Sequence, residues 1–119
     1  MAKVLIVDDD KTTVMLLQTL LELDGFEIQT VGRGADVISK TDEFRPDVIL
    51  MDYHLSDMYG VDVLRALRSH DDYATLPVVM ASGKDVADEV MAAGANKFLV
   101  KPFEPDELPP LFNSLIDGN

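Results

Sequence analysis

The chain has 119 residues, which is enough for one domain with a single core, and we expect one domain over residues 1–119. It contains no cysteine, which excludes disulfides and thiolate metal sites, and its formal net charge of −12 argues against direct nucleic-acid binding. The apolar run that follows Met1-Ala2-Lys3 is too short for a secretory signal or a membrane span, so we expect a cytoplasmic protein without membrane contact.

Short apolar runs alternate along the chain with longer segments of helical periodicity. The first run is VLIV at 4–7, and in the segment 11–24 that follows, Leu17 and Leu21 share one side while Lys11 and Gln18 share the other. The later runs are FEIQTV (26–31), DVILM (47–51), PVVMA (77–81) and KFLV (97–100), and the later helical segments are 34–44, 60–69, 85–93 and one within 104–117. Five strands alternating with five helices predict an α/β fold with a doubly wound parallel sheet.

Two prolines limit the last predicted helix, which lies in the stretch EPDELPPLF. Inside a regular helix, Pro109 and Pro110 would each lack an amide donor and clash with the preceding turn, at a cost of about 3 kcal/mol or more. Both fit into a first turn, where the amides are unpaired in any case. The main helix is therefore predicted to begin at about Leu108, with EPDE as a loop or a single separate turn.

Polar groups follow four of the predicted strands. Asp8, Asp9 and Asp10 follow the first, Asp52 ends the third, and Ser82 and Lys101 come after the fourth and fifth. Because the carboxyl ends of parallel strands meet at one edge of the sheet, these groups can converge in one pocket. Carboxylate oxygens suit Mg²⁺, whose charge would offset the repulsion between neighbouring aspartates. Asp10 fits better as the N-cap of the first helix than as a ligand.

Four motifs, VLIVDDD, PDVILMDYHLSDMYG, LPVVMASG and GANKFLVKPF, resemble those of the receiver domains of bacterial two-component response regulators, the CheY-like superfamily. The similarity covers essentially the whole chain and implies a flavodoxin-like (βα)5 fold. It implies that the protein is a phosphoacceptor signalling domain and not an enzyme acting on other substrates. Its partners would be a sensor histidine kinase or a histidine phosphotransfer protein and a downstream effector.

The resemblance also implies a role for each matching residue. Asp52 would accept the phosphoryl group in a Mg²⁺-dependent reaction, with Lys101 pairing with that group. The metal ligands would be Asp8, Asp9, Asp52 and the backbone carbonyl of His54. Ser82 would bind the phosphoryl group, Phe98 would be the aromatic switch residue, and Pro102 would follow a cis peptide bond. Taken alone, each aspartate also fits an ordinary turn or cap position.

Two other classes of protein remain open from the residues. An aspartate-based phosphotransferase or phosphatase would use Asp52 as a covalent nucleophile, but such enzymes usually carry a second acid two residues on, where this chain has His54. A flavodoxin-like cofactor binder would need a Ser/Thr/Gly-rich phosphate loop after the first strand, where DDDKTT would repel a phosphate. Labelling of Asp52 by acetyl phosphate would distinguish the receiver from the cofactor binder.

The chain departs from the family pattern in its second half. Between Ser82 and Gly94 it is about three residues shorter than usual, close to one helical turn, so the fourth helix or the loop before it should be trimmed. Many relatives dimerise through the fourth helix, fifth strand and fifth helix. Since both helices are altered here, we expect a monomer, or a dimer that does not pack through Lys97, Glu107 and Leu111. No effector segment follows Asn119, so we expect either a stand-alone receiver or part of a longer regulator.

Three side chains near the predicted pocket have no fixed family role. His54 and Lys84 lie where they would flank a water approaching the phosphoryl group, so we expect the bulky imidazole to prolong the phosphorylated state. Met15 lies on the otherwise polar face of the first helix, next to the acidic pocket. We interpret Met15 as a contact for a helical phosphodonor partner.

Overall fold

The computed structural model describes residues 2–118. Within that range five strands alternate with five α-helices, as the apolar runs predict. The strands are β1 (Lys3–Val7), β2 (Glu27–Val31), β3 (Val48–Asp52), β4 (Val78–Ser82) and β5 (Lys97–Val100). The helices are α1 (Lys11–Leu23), α2 (Val37–Phe44), α3 (Gly60–Ser69), α4 (Ala87–Ala92) and α5 (Leu108–Ile116).

The strands form one parallel sheet in the order β2-β1-β3-β4-β5. Chain order reverses direction at β1, so helices cover both faces, and the doubly wound (βα)5 fold is confirmed. The switch point lies between β1 and β3, whose ends carry Asp8 and Asp52. Ligands of such folds bind outside the carboxyl ends of the strands at this point, so the topology places both aspartates where a site is expected.

Side chains alternate along the strands between two separate cores. Leu5, Val7 and Met51 belong to the core beneath α2, α3 and α4. Val4 and Ile6 belong to the core beneath α1 and α5. Because both faces of the inner strands are buried, those strands are apolar throughout, which is why they could be recognised as short continuous runs.

The last helix begins where the proline pattern predicts. Residues Pro105–Glu107 form a single 3₁₀ turn, and α5 starts at Leu108 with both remaining prolines in its first turn. The 3₁₀ turn carries a capping box in which the Glu107 side chain accepts a hydrogen bond from the backbone N–H of Glu104 at 2.8 Å. The separate turn allows Leu108 and Phe112 to reach the core on one face of α5.

Other boundaries differ from the expectations in small ways. The segment predicted as a helix over 34–44 begins with a 3₁₀ turn at Gly34–Asp36, and only Val37–Phe44 is α-helical. The fourth helix, expected over 85–93, spans six residues and is the shortest α-helix among residues 2–118, in keeping with the expected trimming. A 3₁₀ turn at Asp71–Tyr73 was not predicted, and its Tyr73 hydroxyl donates a hydrogen bond to the distant Asp42 carboxylate.

Candidate functional site

The carboxyl edge of the sheet brings a lysine and two aspartates together. Asp8 follows β1, Asp52 ends β3, and Lys101 follows β5 on the far side of β4. The Nζ of Lys101 lies 3.3 Å from Oδ2 of Asp8 and 3.3 Å from Oδ1 of Asp52. The side chains of Asp8 and Asp52 are 7% and 14% exposed, so this lysine bridges two largely buried carboxylates.

Asp9 completes an acidic group that could hold a cation. One carboxylate oxygen from each of Asp8, Asp9 and Asp52 lies within 4.8 Å of the others. Asp8 is buried, Asp52 is half-buried and Asp9 is exposed, so the group opens to solvent on the Asp9 side. Three hard carboxylate oxygens with access to water match the preference of Mg²⁺, which usually keeps several water ligands.

Asp10 caps α1, as its position in the sequence predicts. Its carboxylate accepts hydrogen bonds from the backbone N–H of Thr12 at 3.1 Å and from the hydroxyl of Thr13 at 2.8 Å. The backbone N–H of Asp10 in turn donates to Asp8 at 2.9 Å, which helps to orient that carboxylate. The third aspartate is thus occupied with the helix terminus, and the first two remain available to the pocket.

His54 lies in the turn that connects β3 to α3. It forms an isolated antiparallel bridge with Tyr59, made by hydrogen bonds between the residues on either side of the pair. In such a pair the residue's own N–H and C=O point away from its partner. His54 donates its backbone N–H to the carboxylate of Asp52, which lowers the pKa of Asp52. Its ring contacts those of Tyr53 and Tyr59, with centroids 4.8 Å and 5.5 Å away.

The end of β4 supplies the predicted hydroxyl. Ser82 is 1% exposed, and its backbone carbonyl accepts a hydrogen bond from the Lys101 N–H at 2.8 Å, which ties the two strand ends together. The hydroxyl of Ser82 accepts from the N–H of Lys84 at 3.1 Å. The Lys101–Pro102 peptide bond is cis, which confirms the expectation for Pro102.

Phe98 and Met15 lie outside this group of polar side chains. Phe98 sits in β5 opposite Met80 and is half-buried against the core beneath α3 and α4. Met15 is 69% exposed on α1. A cavity of about 520 Å³ adjoins the acidic group and is lined by Asp9, Met15 and Arg33 among others. Met15 therefore lies on the approach to the aspartates, as its spacing along α1 predicts.

Burial and neighbouring charges shift the pKa values of the central pair. Burial raises the pKa of Asp52, and the Asp8 charge adds to this, while Lys101 and the His54 N–H oppose it without cancelling it. Burial alone would lower the pKa of Lys101, but the charges of Asp8 and Asp52 reverse this, so the net shift is upward. The lysine therefore stays charged near two carboxylates that carry excess negative charge, and additional positive charge would stabilise the group.

Asp57 is a residue near the site that sequence reasoning missed. It lies in the turn between β3 and α3, and its carboxylate accepts the backbone N–H groups of Gly34 at 2.8 Å and Ala35 at 3.0 Å. These two bonds lower the pKa of Asp57. Gly34 and Ala35 are more than twenty positions away along the chain, so no local pattern identifies this contact. A non-local hydrogen bond of this kind becomes visible only in the folded chain.

The sequence matches the model of a protein family described as the response regulator receiver domain over residues 4–113. The DNA-binding response regulator MtrA of Mycobacterium tuberculosis H37Rv is 37% identical in a 109-residue alignment that covers 89% of this chain and 46% of that protein. This chain therefore spans about half the length of that relative. Among the helices of residues 2–118, none is both long enough and apolar enough to cross a lipid bilayer.

Two solved structures have closely similar folds. The chemotaxis protein CheY4 of Vibrio cholerae is 31% identical, with a TM-score of 0.89 over 97% of this chain and 98% of that chain. The receiver domain of the sensor histidine kinase PA1611 from Pseudomonas aeruginosa PAO1 has a TM-score of 0.88 over 98% of each chain. At 24% identity, this second likeness shows the fold alone, and that structure has a magnesium ion coordinated in its active site cleft.

Proposed function

The chain belongs to the response regulator receiver domain family, and from that premise we propose that Asp52 is the residue that carries the phosphoryl signal. The function of the family is that of a phosphoacceptor signalling domain in two-component systems. The observation that carries the assignment to Asp52 is its contact with Lys101 at 3.3 Å, beside the carboxylates of Asp8 and Asp9.

The proposed reaction is an in-line transfer. A carboxylate oxygen of Asp52 forms a new P–O bond while the P–N bond to the donor histidine breaks. The donor imidazole leaves with the bonding electron pair and takes up a proton from water. Lys101 keeps its positive charge beside the nucleophile and would pair with the phosphoryl oxygens, where negative charge is concentrated.

The acidic group would hold Mg²⁺. The carboxylates of Asp8, Asp9 and Asp52 and the backbone carbonyl of His54 would be its protein ligands, and their hard oxygens and mutual proximity support this proposal. When bound, Mg²⁺ would supply positive charge that lets an anionic nucleophile approach an anionic phosphoryl group.

Ser82 and Phe98 would carry the signal away from the site. The hydroxyl of Ser82 lies at the end of β4, next to β3, and could donate to a phosphoryl oxygen if it turned toward Asp52. Its present partner is the N–H of Lys84, whose loop leads into α4. A change at Ser82 would therefore reach α4 directly. Phe98, half-buried in β5, would be the aromatic residue that responds.

The wider assignment follows from family membership. We propose that residues 1–119 act as one receiver domain in the cytoplasm, where ATP-dependent donors are made. The donor would be a sensor histidine kinase or a histidine phosphotransfer protein, and the output would be an effector still to be identified. The chain would catalyse its own phosphorylation and dephosphorylation and would not turn over a foreign phosphate ester.

The test is labelling with acetyl phosphate and Mg²⁺. We expect one acid-labile phosphoryl group per chain, absent from Asp52→Asn and slowed in Asp9→Ala. Asp10→Ala is the matched control, because it removes an adjacent carboxylate that caps α1 and should lower the Tm by a few degrees without blocking labelling. Mg²⁺-dependent label in Asp52→Asn at the wild-type level would refute the assignment, and turnover of p-nitrophenyl phosphate would favour an enzyme.

A further inference from the structure

The turn between β3 and α3 is built as a narrow hairpin. The backbone N–H of Gly60 donates to the carbonyl of Tyr53 at 2.6 Å, and the N–H of Leu55 donates to the carbonyl of Met58 at 3.1 Å. These bonds hold His54 opposite Tyr59 at the base of the hairpin. Neither bond uses the backbone carbonyl of His54, and in a pair of this kind that carbonyl points away from Tyr59. The position of this carbonyl therefore depends on how the hairpin as a whole is held.

The tip of the hairpin is attached to the neighbouring loop by Asp57. Its carboxylate accepts the N–H groups of Gly34 and Ala35, at the start of the 3₁₀ turn that follows β2. Both are charge-assisted bonds, which are stronger than bonds between neutral groups. The nearby Arg33 guanidinium is 3.9 Å away, and its side chain is 64% exposed, so it adds little compared with the two amides.

Close packing between the two loops supports the same attachment. A Cβ built on Gly34 would fall 2.5 Å from Cγ of Met58 and 2.9 Å from Cγ2 of Val63, so a larger residue at position 34 would require these side chains to shift. Met58 packs against the core beneath α2 and α3. The hairpin is thus fixed at its base by β3 and α3 and at its tip by Asp57.

We propose that Asp57 is a positioning residue for the metal site, holding the hairpin so that the His54 carbonyl stays directed at the Asp8, Asp9 and Asp52 carboxylates. This inference depends on the proposed function, in which that carbonyl is a metal ligand. Asp57 acts through the backbone of the hairpin and does not itself touch the metal. Groups that orient metal ligands in this way contribute measurably to metal affinity.

The experiment is a titration with Mg²⁺ alone, followed by NMR through the backbone amides of Asp9 and His54. We expect Asp57→Ala to raise the Mg²⁺ dissociation constant by roughly tenfold, the lower end of the range for groups that orient ligands. Asp62→Ala is the matched control. It removes the same charge from an exposed carboxylate nearby, which pairs with Arg65 at 3.0 Å, and it should stay within about twofold of wild type.

A second variant tests the attachment without changing any charge. Ala35→Pro removes one of the two N–H donors at the second position of the 3₁₀ turn, where the amide makes no bond within the turn. It should raise the Mg²⁺ dissociation constant by a smaller factor than Asp57→Ala does. If Asp57→Ala does not fold, Ala35→Pro alone tests the role of Asp57. Urea unfolding without metal is measured alongside, because a purely structural role would lower stability and leave the dissociation constant of the folded protein unchanged.

The possible outcomes distinguish a failure of the proposed metal site from a failure of the role proposed for Asp57. Wild-type protein that shows no Mg²⁺-dependent shift at Asp9 or His54 would overturn both the metal site and the role of Asp57. Wild-type protein that binds Mg²⁺, with Asp57→Ala or Ala35→Pro binding as tightly as Asp62→Ala, would overturn the role of Asp57 alone.

Discussion

Gly60 lies directly against the backbone of Asp52. A Cβ built on Gly60 would overlap the carbonyl oxygen of Asp52, and it would lie 3.1 Å from Cε of Met80. A backbone oxygen in a central strand cannot move aside as a flexible side chain can. The first residue of α3 and Asp52 are therefore in contact through main-chain atoms, and glycine at position 60 is a requirement of that contact.

Gly60→Ala should destabilise the protein and disturb Asp52. We expect the free energy of unfolding to fall by about 1–3 kcal/mol, as for other overpacked sites, and labelling by acetyl phosphate to slow. Urea denaturation measures the first effect and a labelling time course the second. Gly83→Ala is the control, because a Cβ on Gly83 would meet no atom within 4 Å. Equal stability of the two variants would contradict the prediction.

Asp52→Asn should gain stability relative to wild type as pH rises, in metal-free buffer. Burial raises the pKa of Asp52, so between the unfolded and folded pKa values the folded state holds a proton that the unfolded chain has lost. The wild-type free energy of unfolding therefore falls as pH rises through this window, whereas asparagine has no such proton.

Urea denaturation from roughly pH 3 to pH 7 measures this difference. Adding Mg²⁺ provides the internal control, since a ligand that binds only the folded state should stabilise wild type more than Asp52→Asn. The prediction is wrong if the free energy of unfolding of Asp52→Asn, minus that of wild type, decreases as the pH rises.

His54→Ala should shorten the lifetime of the phosphorylated state. The imidazole is held beside the site by its contacts with the rings of Tyr53 and Tyr59, so it can hinder a water that approaches Asp52. We expect dephosphorylation, followed after removal of acetyl phosphate, to accelerate several-fold. The control is His70→Ala, since His70 lies before β4, at the other end of the sheet. An unchanged rate in His54→Ala would mean that the ring has no kinetic role.

Met15→Lys should impair phosphotransfer from the partner and leave chemical phosphorylation intact. The side chain of Met15 is 69% exposed beside the cavity that leads to Asp9, where a protein donor has to approach. We expect at least a severalfold slower transfer from a phosphorylated histidine kinase and an unchanged rate with acetyl phosphate. Leu23→Lys is a suitable control, as Leu23 is 79% exposed at the other end of α1. Equal losses with both donors would rule out a docking role.

The activated protein should not form the symmetric dimer common among relatives. That dimer would use α4, β5 and α5, and here α4 has six residues and α5 begins only at Leu108. Light scattering with and without beryllofluoride and Mg²⁺ should give the monomer mass, or a dimer in which Lys97, Glu107 and Leu111 stay outside the interface. The variant Lys97→Glu reverses the charge of an exposed residue on the face that the common dimer would use. A beryllofluoride-induced dimer that Lys97→Glu disrupts would contradict this expectation.

Features set by short-range chemistry could be predicted from the sequence. Continuous apolar runs revealed the strands because both faces of the inner strands are buried. Pro109 and Pro110 located the start of α5, since the cost of proline inside a helix depends only on its own turn. The N-cap role of Asp10 followed from its place immediately before the first helical residue.

Features set by contacts between distant segments could not be predicted. The attachment of Asp57 to Gly34 and Ala35, and the hydrogen bond between Tyr73 and Asp42, join parts of the chain that share no local pattern. The site is an intermediate case. Its members were found because parallel strands bring their carboxyl ends together, but the distances from Lys101 to Asp8 and Asp52 required the structure.

The separation of the interior into two cores has a consequence for how such a protein can diversify. Leu17 and Phe112 pack on one side of the sheet, and Leu64 and Val90 pack on the other. The helices α1 and α4 pack in different cores, so a change in the packing of α1 acts on α4 indirectly, across the sheet between them. The surface around Met15 and the surface around α4 can therefore accumulate substitutions separately.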